Sequence, residues 1–453
     1  MNHTGDEKMA NKNEDTTVNT EAYNHRLMNN VVRMPMVVGK AVGSQIWDEE
    51  NDDLLWDYWG DEGVCSLGYN TPEVLGAAMK FFASMEKPHQ LPDIYPTKQR
   101  WEAAEIICDR TGMDRIFFAN SGTEANEGAI KMARKYWWDK EAPFRLLEEQ
   151  DGQLNTAKRH TVLTVKGNFH GRTAISMAAG DFRVSPYHRH GFGPGAQGFG
   201  VLDWDTHLGG QVQFMQAVTD GVEHEEKVPD WSSVAAIILA PVLGNNVVST
   251  YPMAFWIELE RIRDEFGVLI IYDDVQAGSG RAGYFATYQS PDIGLKPDIM
   301  TLAKGIAMGF PMSCLLASEE MAKTFTPGVH FNTFGGSPFV CHMAVELYKW
   351  LDFNIEHVRT KGQMIRDGFG EMDWIVDYDG SGLLNAFTPD FERLGYNGFD
   401  FIHQARKQGL SLATHRPLGP IRFTPRLNVP ASEISQALVM LDDTNSALIK
   451  GDK

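Results

Sequence analysis

Between Pro72 and Ala317, short runs that are almost wholly apolar alternate with stretches of helical periodicity, and no other feature narrows the fold of this chain as far. The runs are Ile116 to Phe118, Thr161 to Val165, Ala235 to Leu239, Val268 to Tyr272 and Cys314 to Ala317. A strand with one wet face alternates apolar and polar residues, whereas one that is apolar throughout is covered on both faces. Strands of this kind spaced by helices predict βαβ units and a largely parallel sheet, hence an α/β domain. Ahead of it, Val37 to Leu55 alternates around an acidic turn (Asp48 to Asp53), as an antiparallel strand pair does. Beyond Phe339, a helical stretch from Val340 to Leu351 leads into strand-like pieces at Trp374 to Val376, Gly382 to Phe387 and Ile421 to Phe423, which read as a separate α+β domain. The segment from Tyr187 to Gly200 reads as a long loop, and Glu223 to Trp231 as a charged surface excursion.

At 453 residues the chain has room for about two or three domains. With 43% hydrophobic and 22% charged residues it is composed as an ordinary globular protein, which leaves only the polar N-terminus, Met1 to Thr20, as a tail. That tail lacks the apolar core of a signal peptide. The net charge of −19 repels nucleic-acid phosphates and anionic lipid, so neither is an expected partner, although a local pocket for a small anion remains open. Cys65, Cys108, Cys314 and Cys341 are too far apart for a CxxC pair or a disulfide scaffold, and reduced, cytoplasmic thiols are the simpler reading. The most apolar run, Val234 to Leu243, is shorter than the ~18 to 20 residues a membrane span needs. His188 and His190 have no carboxylate or cysteine cluster beside them, and no metal site is expected.

Four segments carry chemistry. The run from Phe117 to Asn126 joins a strand to a helix, and Ser121 with Glu124 has capping-box spacing. The free N–H groups of such a helix start suit a phosphate, with Gly122 allowing close approach and Ser121 or Thr123 adding a hydroxyl; a capped helix without a ligand is the alternative. Val268 to Gln276 is a buried strand that ends in Asp273 and Asp274, placing Asp273 at the sheet edge where open α/β sheets bind ligands. A P-loop reading of that acid fails for want of a GxxxxGK[ST] segment, and a helix-capping aspartate remains the alternative. Lys304 sits among small and apolar neighbours from Pro297 to Pro311. Desolvation there lowers a lysine's pKa and gives the neutral amine that forms Schiff bases, whereas a solvated lysine is the bland reading. Phe169, His170 and Arg172 follow a strand within four residues: an aromatic face for a flat ring, an imidazole, and a guanidinium suited to a carboxylate or simply solvated.

A phosphate site, a ring face, a strand-end acid and a desolvated lysine together answer the parts of pyridoxal 5'-phosphate (PLP). From about Met36 to Met440 the sequence resembles the class-III (ornithine/acetylornithine-type) aminotransferases of the fold-type-I PLP enzymes. The likeness rests on Asn-Ser-Gly-Thr-Glu-Ala-Asn (120 to 126), Phe-His-Gly-Arg-Thr (169 to 173), Asp-Asp-Val-Gln-Ala-Gly-Ser-Gly-Arg-Ala-Gly (273 to 283), Leu-Ala-Lys-Gly (302 to 305) and Thr-Phe-Gly-Gly-Ser-Pro (333 to 338). The resemblance implies a large PLP-binding domain (76–335) with a mostly parallel seven-stranded sheet flanked by helices. It also implies a smaller α+β domain built from an N-terminal segment (31–75) and the C-terminal part (336–453), after a disordered tail (1–30).

By the same resemblance Lys304 is the Schiff-base lysine and proton shuttle, Asp273 holds the pyridine nitrogen, Gln276 lies near the ring hydroxyl, and Phe169 stacks on the ring beside His170. Ser121, Gly122 and Thr123 hold the phosphate, and Thr333 reaches the phosphate of a neighbouring subunit, so the active site belongs to a homodimer. Arg172 binds the substrate α-carboxylate. The sequence departs from the family at Asn245, where a glutamate usually pairs with the arginine matching Arg422; the expectation is that Arg422 stays open to a carboxylate or serves another purpose. Asp274 and Tyr69-Asn70 also depart from the family pattern. The implied activity is amino transfer from an amino acid, diamine or ω-amino acid to a 2-oxo acid, 2-oxoglutarate by family habit, in a ping-pong cycle. The alternatives are a PLP-dependent racemase, aminomutase or decarboxylase, or a PLP-binding protein without turnover.

Overall fold

The computed structural model describes residues 27–28, 36–49, 52–145, 157–181, 189–206, 212–217, 229–244 and 248–450. The expected tail (apart from 27–28), Asn245, His188 and most of the charged excursion from Glu223 lie outside the described residues.

In chain order the strands are β1 (Val38–Val42), β2 (Gln45–Asp48), β3 (Leu54–Asp57), β4 (Arg115–Ala119), β5 (Thr161–Val165), β6 (Phe199–Thr206), β7 (Val212–Ala217), β8 (Val234–Leu239), β9 (Val242–Leu243), β10 (Ser249–Thr250), β11 (Leu269–Asp273), β12 (Ile299–Leu302), β13 (Ser313–Ala317), β14 (Ile375–Ser381), β15 (Leu384–Pro389), β16 (Leu410–Ser411) and β17 (Ile421–Phe423). The central sheet has the order β4-β13-β12-β11-β8-β5-β6-β7. Six of its eight strands run one way, while β13 and the edge strand β7 run the other. The mostly parallel sheet is thus the expected one with an antiparallel strand added at its edge.

Every residue of β8, β11, β12 and β13 is buried, with no alternation, because helices cover both faces. The helix Gly122–Arg145 packs on the sheet, and the helix Pro338–Gly370 lies against the helices Lys98–Thr111 and Pro72–Phe82. The starts of these helices are written locally. Thr71, Thr97 and Ser337 each accept a hydrogen bond from the backbone N–H three residues on, and Pro72 and Pro338 occupy the first turn, where the missing N–H costs nothing.

A second sheet, β1-β2-β3-β16, joins the two ends of the chain: the antiparallel meander of residues 38–57 takes on Leu410–Ser411 as a parallel neighbour of β3. The third sheet, β14-β15-β17, is antiparallel and carries Arg422. Loops leaving the C-terminal ends of β5, β8, β11 and β12 converge at one edge of the central sheet, where open α/β folds place their ligands.

Candidate active site

At that edge lies a cavity of about 650 Å3. Ser121, Gly122, Thr123, Phe169, His170, Arg172, Asp273, Gln276 and Lys304 all line it, so residues spread over 184 positions of sequence meet in one place. Thr333 does not: it is exposed on another loop, where its carbonyl accepts a hydrogen bond from Gln90 Nε2 at 3.1 Å. Arg422 is buried, 3% exposed, and stands behind Glu62.

The helix Gly122–Arg145 opens onto the cavity. Glu124 reaches back to accept from the N–H groups of Asn120 (2.8 Å) and Ser121 (2.9 Å), while its own N–H meets Ser121 Oγ at 3.4 Å. This is the capping box read from the sequence. A Cβ on Gly122 would meet the methyls of Val275 at 2.7 and 2.9 Å, so a side chain here would have to push Val275 aside. Thr123 Oγ1 lies 2.8 Å from Thr173 Oγ1 and hydrogen-bonds Ser176, adding hydroxyls beside the helix start.

Asp273 ends β11 and is 7% exposed. Its Oδ2 is held by His170 Nδ1 at 2.7 Å and Asn126 Nδ2 at 2.8 Å, and Oδ1 accepts from the Val275 N–H at 3.2 Å. His170 is fixed on its far side by Thr164 Oγ1, 2.9 Å from Nε2. Among the described residues no lysine or arginine is ion-paired with Asp273, so this buried carboxylate has room for a cationic partner in the cavity. Asp274, one residue on, turns away: it accepts from the Thr287 N–H and hydroxyl, and burial pushes its pKa up to about 7.

Lys304 follows β12 with φ +44, a left-handed conformation that a non-glycine residue adopts only when its surroundings force it. Ser66 Oγ donates to the next carbonyl, Gly305 O, at 2.8 Å and pins this turn to the N-terminal segment. Burial lowers the Lys304 pKa from its ordinary value, although Glu62 opposes the shift. Phe169 keeps 37% of its surface exposed at the cavity, with the Arg172 guanidinium 5.8 Å from its ring centre. Phe169 and Val275 thus offer an aromatic and a branched apolar surface to a flat ligand.

Glu62 was absent from the sequence-based site. It lines the cavity and pairs with Arg422; Gln276 Nε2 donates to it at 3.1 Å and Trp59 Nε1 at 3.3 Å, with Lys304 Nζ at 3.7 Å and His415 Nε2 at 3.6 Å. Burial acts to raise its pKa, but the neighbouring His415 imidazole and the charges of Arg422 and Lys304 outweigh that and hold Glu62 well below the carboxylate range. The expectation of an open Arg422 is therefore corrected: a carboxylate from residues 60–63 occupies it, a partner that no motif around Arg422 announces. The signal available in sequence was the glycine-bracketed acid pair Gly60-Asp61-Glu62-Gly63.

These residues fit PLP: a helix start with hydroxyls for the phosphate, an apolar ring face, a buried acid with spare acceptor capacity, and an amine depressed by burial.

Comparison with known proteins agrees with this geometry. Residues 27–444 match the family described as Aminotransferase class-III. The acetylornithine aminotransferase of Synechocystis is 30% identical over 443 residues, covering 95% of this chain and 94% of that protein. The acetylornithine aminotransferase of Caldanaerobacter subterraneus is 32% identical over 430 residues, covering 93% and 98%. The crystal structure of ornithine aminotransferase from Toxoplasma gondii superposes with a TM-score of 0.78 at 22% identity, covering 97% of both chains.

Proposed function

The chain belongs to the class-III aminotransferases, PLP-dependent enzymes of fold type I that transfer an amino group to a 2-oxo acid, and from that premise we propose how its own residues divide the work. When bound, PLP supplies an electrophilic aldehyde carbon and a cationic ring that draws off the electron pair released at the substrate carbon. Gly122, Thr123 and Ser121 would hold the phosphate with backbone N–H groups and hydroxyls, and Phe169 would cover one ring face. Asp273, kept in place by His170 and Asn126, would hold a proton on the ring nitrogen, and Gln276, in the cavity wall, would serve the ring hydroxyl. Lys304 Nζ would take the proton from the substrate's reacting carbon and return it two atoms away, at the carbon on the far side of the transferred nitrogen, a role suited to an amine whose proton affinity burial has reduced. Arg172 receives a substrate carboxylate at the mouth.

One observation carries the reading: the Lys304 amine, the Asp273 carboxylate and the start of the helix Gly122–Arg145 face the same cavity. The donor is an amino acid, diamine or ω-amino acid and the acceptor 2-oxoglutarate. Screening amino donors against 2-oxo acids tests it. Release of a keto product with stoichiometric amination of the acceptor is the expected result; racemised or decarboxylated product without a keto acid would overturn it.

The assembly in this reading is a homodimer with a shared site. Met79, Phe82, Met85, Ile94, Tyr95, Trp101, Phe331 and Phe334 are all more than half exposed, a surface a monomer rarely leaves bare. Contacts such as Gln90 to the Thr333 carbonyl and Phe82 against Phe339 bring its parts together, so a second copy seated there lies next to Thr333. Residues 31–75 with 336–453 form the small domain and 76–335 the large one, a division the β3–β16 pairing supports. Among the described residues no helix is long and apolar enough to cross a membrane, and four free thiols support a cytoplasmic enzyme.

A further inference from the structure

The backbone ladder between β5 and β8 ends at the pair Thr164 and Ile238, yet the loops that leave these strands, 166–172 and 240–244, both line the cavity. Beyond that last rung the link between them is a side chain. Asn168, 1% exposed, accepts from the Ala240 N–H through Oδ1, while Nδ2 donates to the Val165 carbonyl at 2.8 Å and to Tyr251 Oη at 2.7 Å. A backbone donor at one end and a backbone acceptor at the other decide which end of the carboxamide is oxygen. The main chain is clamped as well: the Asn168 carbonyl accepts from the Asp181 N–H at 2.9 Å, and Asp181 Oδ2 accepts from the Gly167 N–H at 2.8 Å.

Tyr251 is a firm anchor for this amide. Its ring is buried and stacked on Phe255 with 4.1 Å between centres, and its carbonyl accepts from Trp256 Nε1 at 3.1 Å. Burial pushes its pKa up, so the hydroxyl stays neutral. It follows β10, whose partner β9 (Val242–Leu243) belongs to the cavity wall, but Tyr251 itself stands outside that wall. Any influence it has on a ligand therefore passes through another residue.

We propose that Asn168 and Tyr251 are a positioning pair that continues the β5–β8 connection past its last backbone rung and so fixes the place of the Phe169 ring in the cavity. This rests on the aminotransferase reading, in which Phe169 covers the cofactor ring. Phe169 is the next residue in the chain, so a tilt of the Asn168 carboxamide moves its ring. Dispersion between stacked rings falls steeply over a fraction of an ångström, and a small displacement loses much of the contact. With the Tyr251 hydroxyl removed, Nδ2 keeps only the Val165 carbonyl, and the amide is no longer held from the side of the β9–β10 hairpin.

The test uses the full-length chain freed of cofactor and titrated with 4'-deoxypyridoxine 5'-phosphate, which has the ring and phosphate but no aldehyde, so that Lys304 chemistry does not enter. Tyr251→Phe keeps the stacked ring and loses only the hydroxyl. It is expected to weaken binding about 5-fold in the otherwise unaltered chain and less than about 1.5-fold in a Phe169→Ala background, where no ring is left to misplace. Asn168→Ala, which removes the whole link, should follow the same pattern with a loss of at least about 10-fold; should it not fold, the Tyr251→Phe cycle decides alone. A merely structural role lowers the melting temperature and weakens binding equally in both backgrounds. That result, unchanged affinity in Tyr251→Phe, or unchanged affinity in Phe169→Ala alone each overturns the proposal. Failure of the wild type to bind the analogue would sink the PLP reading itself, whereas binding that is indifferent to Tyr251 would sink only the pair.

Discussion

Asn126 is the hinge of the polar network behind the cavity, and its removal has a calculable effect. The side chain is 2% exposed; Nδ2 donates to the His170 carbonyl and to Asp273 Oδ2, both at 2.8 Å, and Oδ1 accepts from the Thr301 hydroxyl at 2.7 Å. Asn126→Ala leaves a carbonyl, a carboxylate oxygen and a hydroxyl each short of a partner in a place water does not readily enter. At about 1 kcal/mol net per lost hydrogen bond, the three amount to about 3 kcal/mol. An unfolding entropy near 2.1 cal/mol/K per residue gives about 1 kcal/mol/K for the whole chain, so the melting temperature should fall by about 3 °C. Asp273 loses one of the two side chains that hold it, and PLP should bind about 10-fold more weakly, a change of about 1.4 kcal/mol. Differential scanning calorimetry of the cofactor-free protein and equilibrium titration with PLP read the two effects separately. A variant that melts within about 1 °C of the wild type and binds PLP as tightly would refute the idea that this network sets the site.

Lys304→Ala should lower amino transfer by at least about 10^3-fold; the wild-type rate should rise with pH through the lowered pKa of Lys304 if, as proposed, the neutral amine is the proton acceptor, and a rate that falls over that range would contradict the assignment. Asp274 titrates near 7 against an ordinary 3.8, so the folded state holds a proton the unfolded chain has released. Its stability contribution is complete below 3.8 and lost as pH rises through 7; the melting curve of Asp274→Asn against pH should therefore rise relative to the wild type over that window, and parallel curves would count against it. Gly122→Ala drives a methyl against Val275 at 2.7 and 2.9 Å and should cost about 1 to 3 kcal/mol of stability or cofactor affinity, measured by melting and by PLP titration; an unaffected protein would show that the helix start is looser than described.

Most of the central sheet was legible because burial on both faces leaves an unbroken apolar run, as in β8 and β11. The strand β12 was harder: Ile299–Leu302 is four residues long and merges into the lysine segment, too short for periodicity to speak. The edge strand β7 and most of β6 escaped notice, the start of β6 falling within what reads as loop. The meeting of Ser121, Phe169, Asp273 and Lys304 in one cavity was legible because such residues stand at strand ends with their chemistry beside them, as Asp273 does after β11. Glu62 and Asn126 were not singled out as site residues: Glu62 acquires its meaning from Arg422, 360 residues away, and Asn126 from partners at 170, 273 and 301. Pairings over such separations leave no local pattern to read.

The pairing of β3 with β16 also has a consequence for how the protein comes into being. Residues 54–57 can pair with β2 at once but find their neighbour on the other side only when Leu410 and Ser411 have been synthesised, and the countercharge for Glu62 arrives later still on β17. At about 5 to 20 residues per second, translation leaves the first strands waiting roughly 20 to 70 seconds for their last partner. Truncation ahead of Leu410 would leave that edge of β3 without its partner, so the early strands depend on residues made long after them.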